Sequence, residues 1–450
     1  MNDFLKLSLR RLVAIVIVIL LFFLIVDGAI PQLQMFFLRG NILAGNFVFK
    51  AAVLAIALLG FLVYPRIRVV GLPILTWLLC IGYLILEIPY LNRAHRMPIG
   101  DVLQSYNAYY LLLLIGPVLV PFRGAVSERI ITRCTVYSFL VCAAIGIAQY
   151  SAAQPLLPTD SADGAFQVNS WIFVGQIRAF SLFTSSMNFG MFCALCGALG
   201  IALLRRMPVR GILLFIVSGV ACFSTLTRLC YLVFVCTCFY ALVLTFGKRP
   251  ARGLWYPVLF FVIGISTILI GLRSSNSDTG DLQDTASLIQ RITQWTYYSE
   301  LILQSSPPEK VFGAGIVQNE KLLSLYPMII DNTPLALVLH IGVVGLVLFG
   351  VLMIKMWLYL RRKALATEQP FLIAAASFWA TLACAGIFNI VFSSFGAVFA
   401  LAILCEKDLS TQRRHKSIGG FVGKRRGLRP ELAGSLKESR VFVDPIPPPG

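Results

Sequence analysis

"DNTPLALVLHIGVVGLVLF" runs from Asp331 to Phe349. It opens on an acid, an amide and a hydroxyl, turns at Pro334, and then is apolar apart from His340. Asn332 or Thr333 suits the residue that caps a helix, and Pro334 suits its first turn. Continued to residue 358, the apolar part is long enough to cross a bilayer as a helix. The segment also follows the longest polar stretch within the apolar part of the chain. It therefore reads as a membrane helix whose polar start faces something other than lipid.

Similar runs recur along the chain. Apolar periodicity predicts about twelve transmembrane helices, at 12–30, 44–64, 69–89, 106–122, 134–151, 180–204, 211–227, 229–247, 253–272, 334–358, 370–388 and 390–405. The composition agrees: 58% of the 450 residues are hydrophobic, 13% are charged and the mean hydropathy is +0.83. A water-soluble domain needs more charge on its surface than that. The expected fold class is an all-α polytopic membrane protein.

The net charge of +18 does not call for a nucleic acid partner, because of where the charge lies. If the N-terminus is cytoplasmic, 28 of the 38 Lys and Arg fall in cytoplasmic segments, ten of them after Cys405. That asymmetry sets the orientation and puts both termini in the cytoplasm. Residues 12–30 read as an uncleaved first helix, since no small-x-small cleavage site follows. All eleven cysteines sit in apolar runs, so even the Cys193–Cys196 CxxC reads as small packing residues. No metal-ligand spacing occurs and no cofactor is expected.

Residues 1–405 form the expected transmembrane domain. Residues 273–333 form its large outer loop, and 406–450 a basic, Pro- and Gly-rich cytoplasmic tail without a packed fold. Within the loop, Leu288, Ile292, Trp295, Tyr298 and Leu301 make a helical stripe. "PPEKVFGAGIVQNEKLLSLYP" reads as a turn, a Gly-containing loop and a short helix.

Helix interiors look nearly free of charge, and polar residues gather at the outer ends in four places. These are "RAFSLFTSSMNFG" with Arg178 and Asn188, "FSTLTRL" with Arg228 in a tight turn, "LIQRITQW" with Arg291 and Trp295, and the opening stretch with Asp331, Asn332 and Thr333. Polar groups that lipid would exclude mark function. Three guanidinium groups on one face beside a helix start describe an anion site.

These blocks, in this order, resemble the O-antigen ligase and polymerase superfamily over about residues 178–349. The periplasmic "R-x-x-x-W … P … G-x-G" block is carried by Arg291, Trp295, Pro308, Gly313 and Gly315, and "GxxGLxxF" by Gly342, Gly345, Leu346 and Phe349. The resemblance implies a GT-C-like fold and a metal-independent glycosyltransferase in the bacterial inner membrane. It implies that Arg178, Arg228 and Arg291 bind the diphosphate of an undecaprenyl-diphosphate-linked oligosaccharide. Asn188, Trp295, Asn332, Gly342 and Gly345 would support them, with the two glycines letting their helix pack closely. Ligases of the family carry His where Asp331 stands. Asp331 is thus the candidate base, and its acidity points to a polymerase of exopolysaccharide, capsule or O-antigen repeat units. Membrane lipids and other polysaccharide-assembly proteins are the expected partners. The alternatives are an O-antigen ligase acting on lipid A–core and, from another class, a flippase or transporter. His340 reads as a buried packing or hydrogen-bonded residue.

Overall fold

The computed structural model describes residues 3–37, 46–63, 73–157, 172–173, 176–247, 255–275, 282–315, 332–382, 385–386 and 392–406. Sixteen α-helices are named among them: α1 (Asp3–Ile25), α2 (Ala29–Phe37), α3 (Asn46–Val63), α4 (Ile74–His95), α5 (Ile99–Tyr109), α6 (Leu111–Val118), α7 (Glu128–Ala152), α8 (Ser186–Leu203), α9 (Pro208–Ser224), α10 (Arg228–Phe246), α11 (Tyr256–Ser275), α12 (Leu282–Gln304), α13 (Pro307–Phe312), α14 (Thr333–Thr367), α15 (Pro370–Ala380) and α16 (Phe392–Cys405). The one described sheet is a short hairpin pairing β1 (Ile172–Phe173) with β2 (Gln176–Ile177).

Among the described residues, α1, α4, α7, α8, α10 and α14 are long and apolar enough to cross a membrane, and four further apolar helices are shorter. This is the build of an all-α membrane protein. Residues 407–450, the expected tail, lie outside the described residues, as do Cys384 and the loop segments 276–281 and 316–331.

Several boundaries differ from the sequence reading. Helix α4 is displaced from 69–89 to Ile74–His95. The 106–122 run is not one helix: it breaks at Tyr110 into α5, α6 and a 3-10 turn at Val120–Phe122. "PPEK" is the start of α13 rather than a turn. Two prolines preset φ there, and Ser306 and Glu309 form a reciprocal capping box. The helix read from the stripe within residues 273–333 is present as α12.

The centre of the bundle is α8, which is buried almost along its whole length. Its sequence is apolar all round and full of Gly, Ala and Cys, which suits a helix wrapped by others. A Cβ on Gly190 would lie 2.2 Å from Cys230 Sγ in α10, and one on Gly200 would lie 2.8 Å from the Gly211 carbonyl in α9. Close approach replaces side-chain bulk here. Cys193 and Cys196 are buried in this helix, and none of the described cysteines is in a disulfide.

Charge is buried at the end of the bundle where α8 stops. Glu406, 2% exposed, takes hydrogen bonds from Arg123 and Tyr359 and pairs with Lys363. This pins the end of α16 to α14 and to the loop before α7, where Gly124 N–H donates to Ile403 O. Breaking a buried ion group leaves uncompensated charge and costs about 3–5 kcal/mol. Glu406→Gln is therefore expected to lower the unfolding midpoint in detergent by several degrees, whereas Glu368→Gln, at an exposed pair with Arg205, is expected to shift it little.

The second decisive feature is a break in α14. Gly342 has φ +66° and ψ −176°, a region open essentially to glycine alone. The segment after α13 fills the gap: Ala314 N–H donates to Leu339 O and Gly315 N–H to His340 O. The Tyr83 hydroxyl donates to Ile341 O at 2.6 Å and also lies against the Gly345 N–H. It thus bridges the helical hydrogen bond that the break interrupts. All three carbonyls before the break are satisfied by the protein itself, as backbone at membrane depth requires. His340 is buried, with Nδ1 3.3 Å from the Tyr110 hydroxyl. The "G-x-G" and "GxxG" signals therefore meet in space. Gly342 serves to break its helix and admit Gly313, not to let an unbroken helix pack closely.

Candidate functional site

The sequence places a helix start near residue 180, but α8 begins at Ser186. Residues 178–185 form an irregular strap that is nevertheless buried: Ala179, Phe180 and Ser181 are 0% exposed and Phe183 1%. Irregular backbone can lie inside such a bundle only if its polar groups find partners. Gln149 of α7, itself fully buried, supplies three of them. It accepts from Phe180 N–H and Ser181 N–H, and its amide donates to Ser181 O. Ser181, at φ +55°, donates its hydroxyl to Cys142 O, and Ala179 N–H donates to Ser224 O.

The turn between α1 and α2 grips the other half of the strap. The Gln32 amide donates to Phe183 O, and Gly28 sits so close that a Cβ would meet the Phe183 carbonyl carbon at 2.7 Å. Asp27 Oδ1 accepts from Thr184 N–H at 3.0 Å, and its Oδ2 accepts from the Thr184 hydroxyl and from Asn188 Nδ2 at 2.8 Å. Asp27 also lies close enough to Lys50, on α3, for its charge to be felt there.

The strap delivers its two ends to the starts of α8 and α10. Ser185 caps α8 by accepting from Asn188 N–H. The Ser186 hydroxyl lies 3.2 Å from the Thr227 hydroxyl at the N-cap of α10. Arg228 is the first residue of α10 and is exposed, following Leu226 at φ +46°. A bulky residue with positive φ is an outlier that tends to mark functional sites. Arg178 is half-buried, and its charge reaches Cys230 and Tyr231 in the first turn of α10. Arg178 thus lies near the first turn of α10, the helix that Arg228 begins, and the N–H groups and dipole of a helix start favour an anion.

Asn332 and Thr333 begin α14. The far end of α14 meets Arg205 and Arg206, just past the end of α8, through Glu368, so α14 starts toward the same end of the bundle as α8. The Asn332 side chain accepts from Leu335 N–H at 3.0 Å, which makes it the helix cap. Trp295 packs on the main core from α12. The Arg291 side chain and Asp331 lie outside the described residues.

Asp27, Lys50 and Glu87 belong to the polar set but do not stand out in the sequence reading, which takes helix interiors as nearly uncharged. Lys50 and Glu87 are 8% and 3% exposed, and Glu87 accepts from the Tyr106 hydroxyl at 2.9 Å. The available signal was a single charge inside each of "NFVFKAAVL" and "LILEIPY". No family model matches the chain, and no curated protein matches it significantly.

Proposed function

We propose that the chain is a membrane glycosyltransferase of twelve spans and GT-C-like architecture, acting on undecaprenyl-diphosphate-linked oligosaccharide at the outer face of the bacterial inner membrane. Its reaction would be polymerisation of repeat units. The observation that carries the reading is the placement of Arg178 near the first turn of α10, which Arg228 begins, where the starts of α8 and α10 meet. That arrangement suits a diphosphate whose lipid tail lies along an apolar bundle.

In the proposed step an acceptor sugar hydroxyl forms a bond to the anomeric carbon of the donor. The bond from that carbon to the diphosphate oxygen breaks, and the electron pair leaves with the lipid diphosphate. The guanidinium groups act where negative charge grows on the leaving oxygen, so they favour the transition state over bound substrate. Asp331 keeps its proposed role as the group that takes or orients the acceptor proton. A ligase would use the same donor with lipid A–core as acceptor.

One observation bears on transport, the third reading. Broken helices line the substrate sites of many transporters. Here, however, the carbonyls at the Gly342 break are occupied by Ala314, Gly315 and Tyr83. Analysis of lipid-linked sugars after gene deletion separates the readings. Single repeat units on the carrier are expected to accumulate at the outer face. Long carrier-linked chains would instead mean a ligase, and units trapped at the inner face a flippase.

A further inference from the structure

The hydrogen bonds around Asn188 define which way its amide faces. In the ionised form of Asp27, Oδ2 only accepts, so the Asn188 atom 2.8 Å from it is the nitrogen. Thr184 spends its hydroxyl proton on the same carboxylate. Its oxygen is left to accept, and Asn188 Nδ2 lies 3.1 Å from it. Asp27 Oδ2 and the Thr184 oxygen thus lie side by side against Nδ2, so the nitrogen of the amide is turned into the protein. Asn188 Oδ1 receives no hydrogen bond from any described residue, and Asn188 is half-buried at the start of α8, at the end of the bundle that carries Arg178 and Arg228.

Resting on the glycosyltransferase reading, we infer that Asn188 offers substrate its amide oxygen, a hydrogen-bond acceptor, and that Asp27 is the positioning residue that fixes this orientation. A phosphate oxygen has no hydrogen to give a carbonyl, whereas a sugar hydroxyl does. Asn188 is therefore a specificity group for the sugar, and the diphosphate is left to Arg178 and Arg228. A site built to pair a hydroxyl discriminates strongly against a ligand that lacks it.

The test uses the full chain in lipid nanodiscs and two probes, undecaprenyl diphosphate and the same carrier bearing oligosaccharide extracted from the deletion strain. In Asp27→Asn the new amide can donate, so the Asn188 amide turns over and presents NH2 outward. The variant is expected to keep its unfolding midpoint, to bind the sugar-bearing carrier about tenfold more weakly, and to bind undecaprenyl diphosphate as before. The exchanged pair Asp27→Asn with Asn188→Asp again presents an acceptor oxygen outward, and is expected to recover most of the lost sugar-dependent affinity. Asn188→Ala, which leaves Asp27 its Thr184 partners, supplies the same contrast if Asp27→Asn does not fold. Equal weakening of both probes, unchanged binding of both, or an exchanged pair no better than Asp27→Asn would each overturn the inference. If the wild-type chain binds neither probe, the glycosyltransferase reading falls and takes this inference with it. If it binds both and only the predicted contrast is missing, that reading stands and the inference alone is lost.

Discussion

Gly342→Val is expected to remove most folded protein from the membrane fraction. The added Cβ would sit 2.1 Å from Val311 O and 2.6 Å from Gly313 N, both backbone atoms that cannot swing aside. The backbone conformation is itself costly for a branched residue, at about 1–3 kcal/mol. Relieving the clash would move the 313–315 segment and expose the Leu339 and His340 carbonyls, and each buried carbonyl left unpaired costs about 1–3 kcal/mol. The sum, on the order of 5 kcal/mol, is comparable to the whole stability of a typical domain. Gly313→Val should behave alike, since its Cβ would lie 2.4 Å from His340 O at φ +85°. Gly350, eight residues further along α14, has nothing within 4 Å of a built Cβ, so Gly350→Ala should leave yield and unfolding midpoint close to wild type. Fluorescence-detected size-exclusion of the three variants reads the contrast. Equal yields would mean that the break at Gly342 is dispensable.

Arg228→Ala and Arg178→Ala are each expected to slow turnover of lipid-linked repeat units by about 10²–10³, with the protein still folded. Arg228 is exposed at the first residue of α10, so its truncation creates no cavity. Its loss should appear in rate rather than in stability. Lysine at either position should restore only part of the rate, because an ammonium is a point charge without the fork that grips two phosphate oxygens. Arg206→Ala is the control. Arg206 is also exposed and cationic, but it lies past the end of α8, where it pairs with Glu128 and donates to the Glu368 backbone carbonyl. It should leave turnover within about twofold, because it lies at the opposite end of α8 from Arg178 and Arg228. Rates come from purified protein with extracted lipid-linked oligosaccharide. If loss of Arg206 slowed turnover as much as loss of Arg228, the effect would be one of general charge and the proposed diphosphate site would be abandoned.

Helix content and the six membrane-length helices were legible because a bilayer imposes a simple rule: long apolar runs must become helices. The cap at Asn332, the helix within residues 273–333 and the burial of His340 could be read from local pattern for related reasons. The start of α8 could not. "RAFSLFTS" is apolar enough to continue a span, and only the partners supplied by Gln149, Gln32 and Asp27, 31 to 157 residues away in sequence, let it stay irregular and buried. Asp27 itself escaped notice because a single acid at a helix end ordinarily reaches water. Its partners on the strap give it another role.

The sequence by itself determined that this chain is a helical membrane protein, because lipid penalises every charge and every unpaired peptide group. Tertiary structure decided which of those polar residues meet. It joined the starts of α8 and α10 around Arg178 and Arg228, brought the "G-x-G" segment into the break at Gly342, and turned the Asn188 amide through Asp27. Such pairings depend on groups far apart in the chain approaching within hydrogen-bond distance, and short-range periodicity carries no record of that approach.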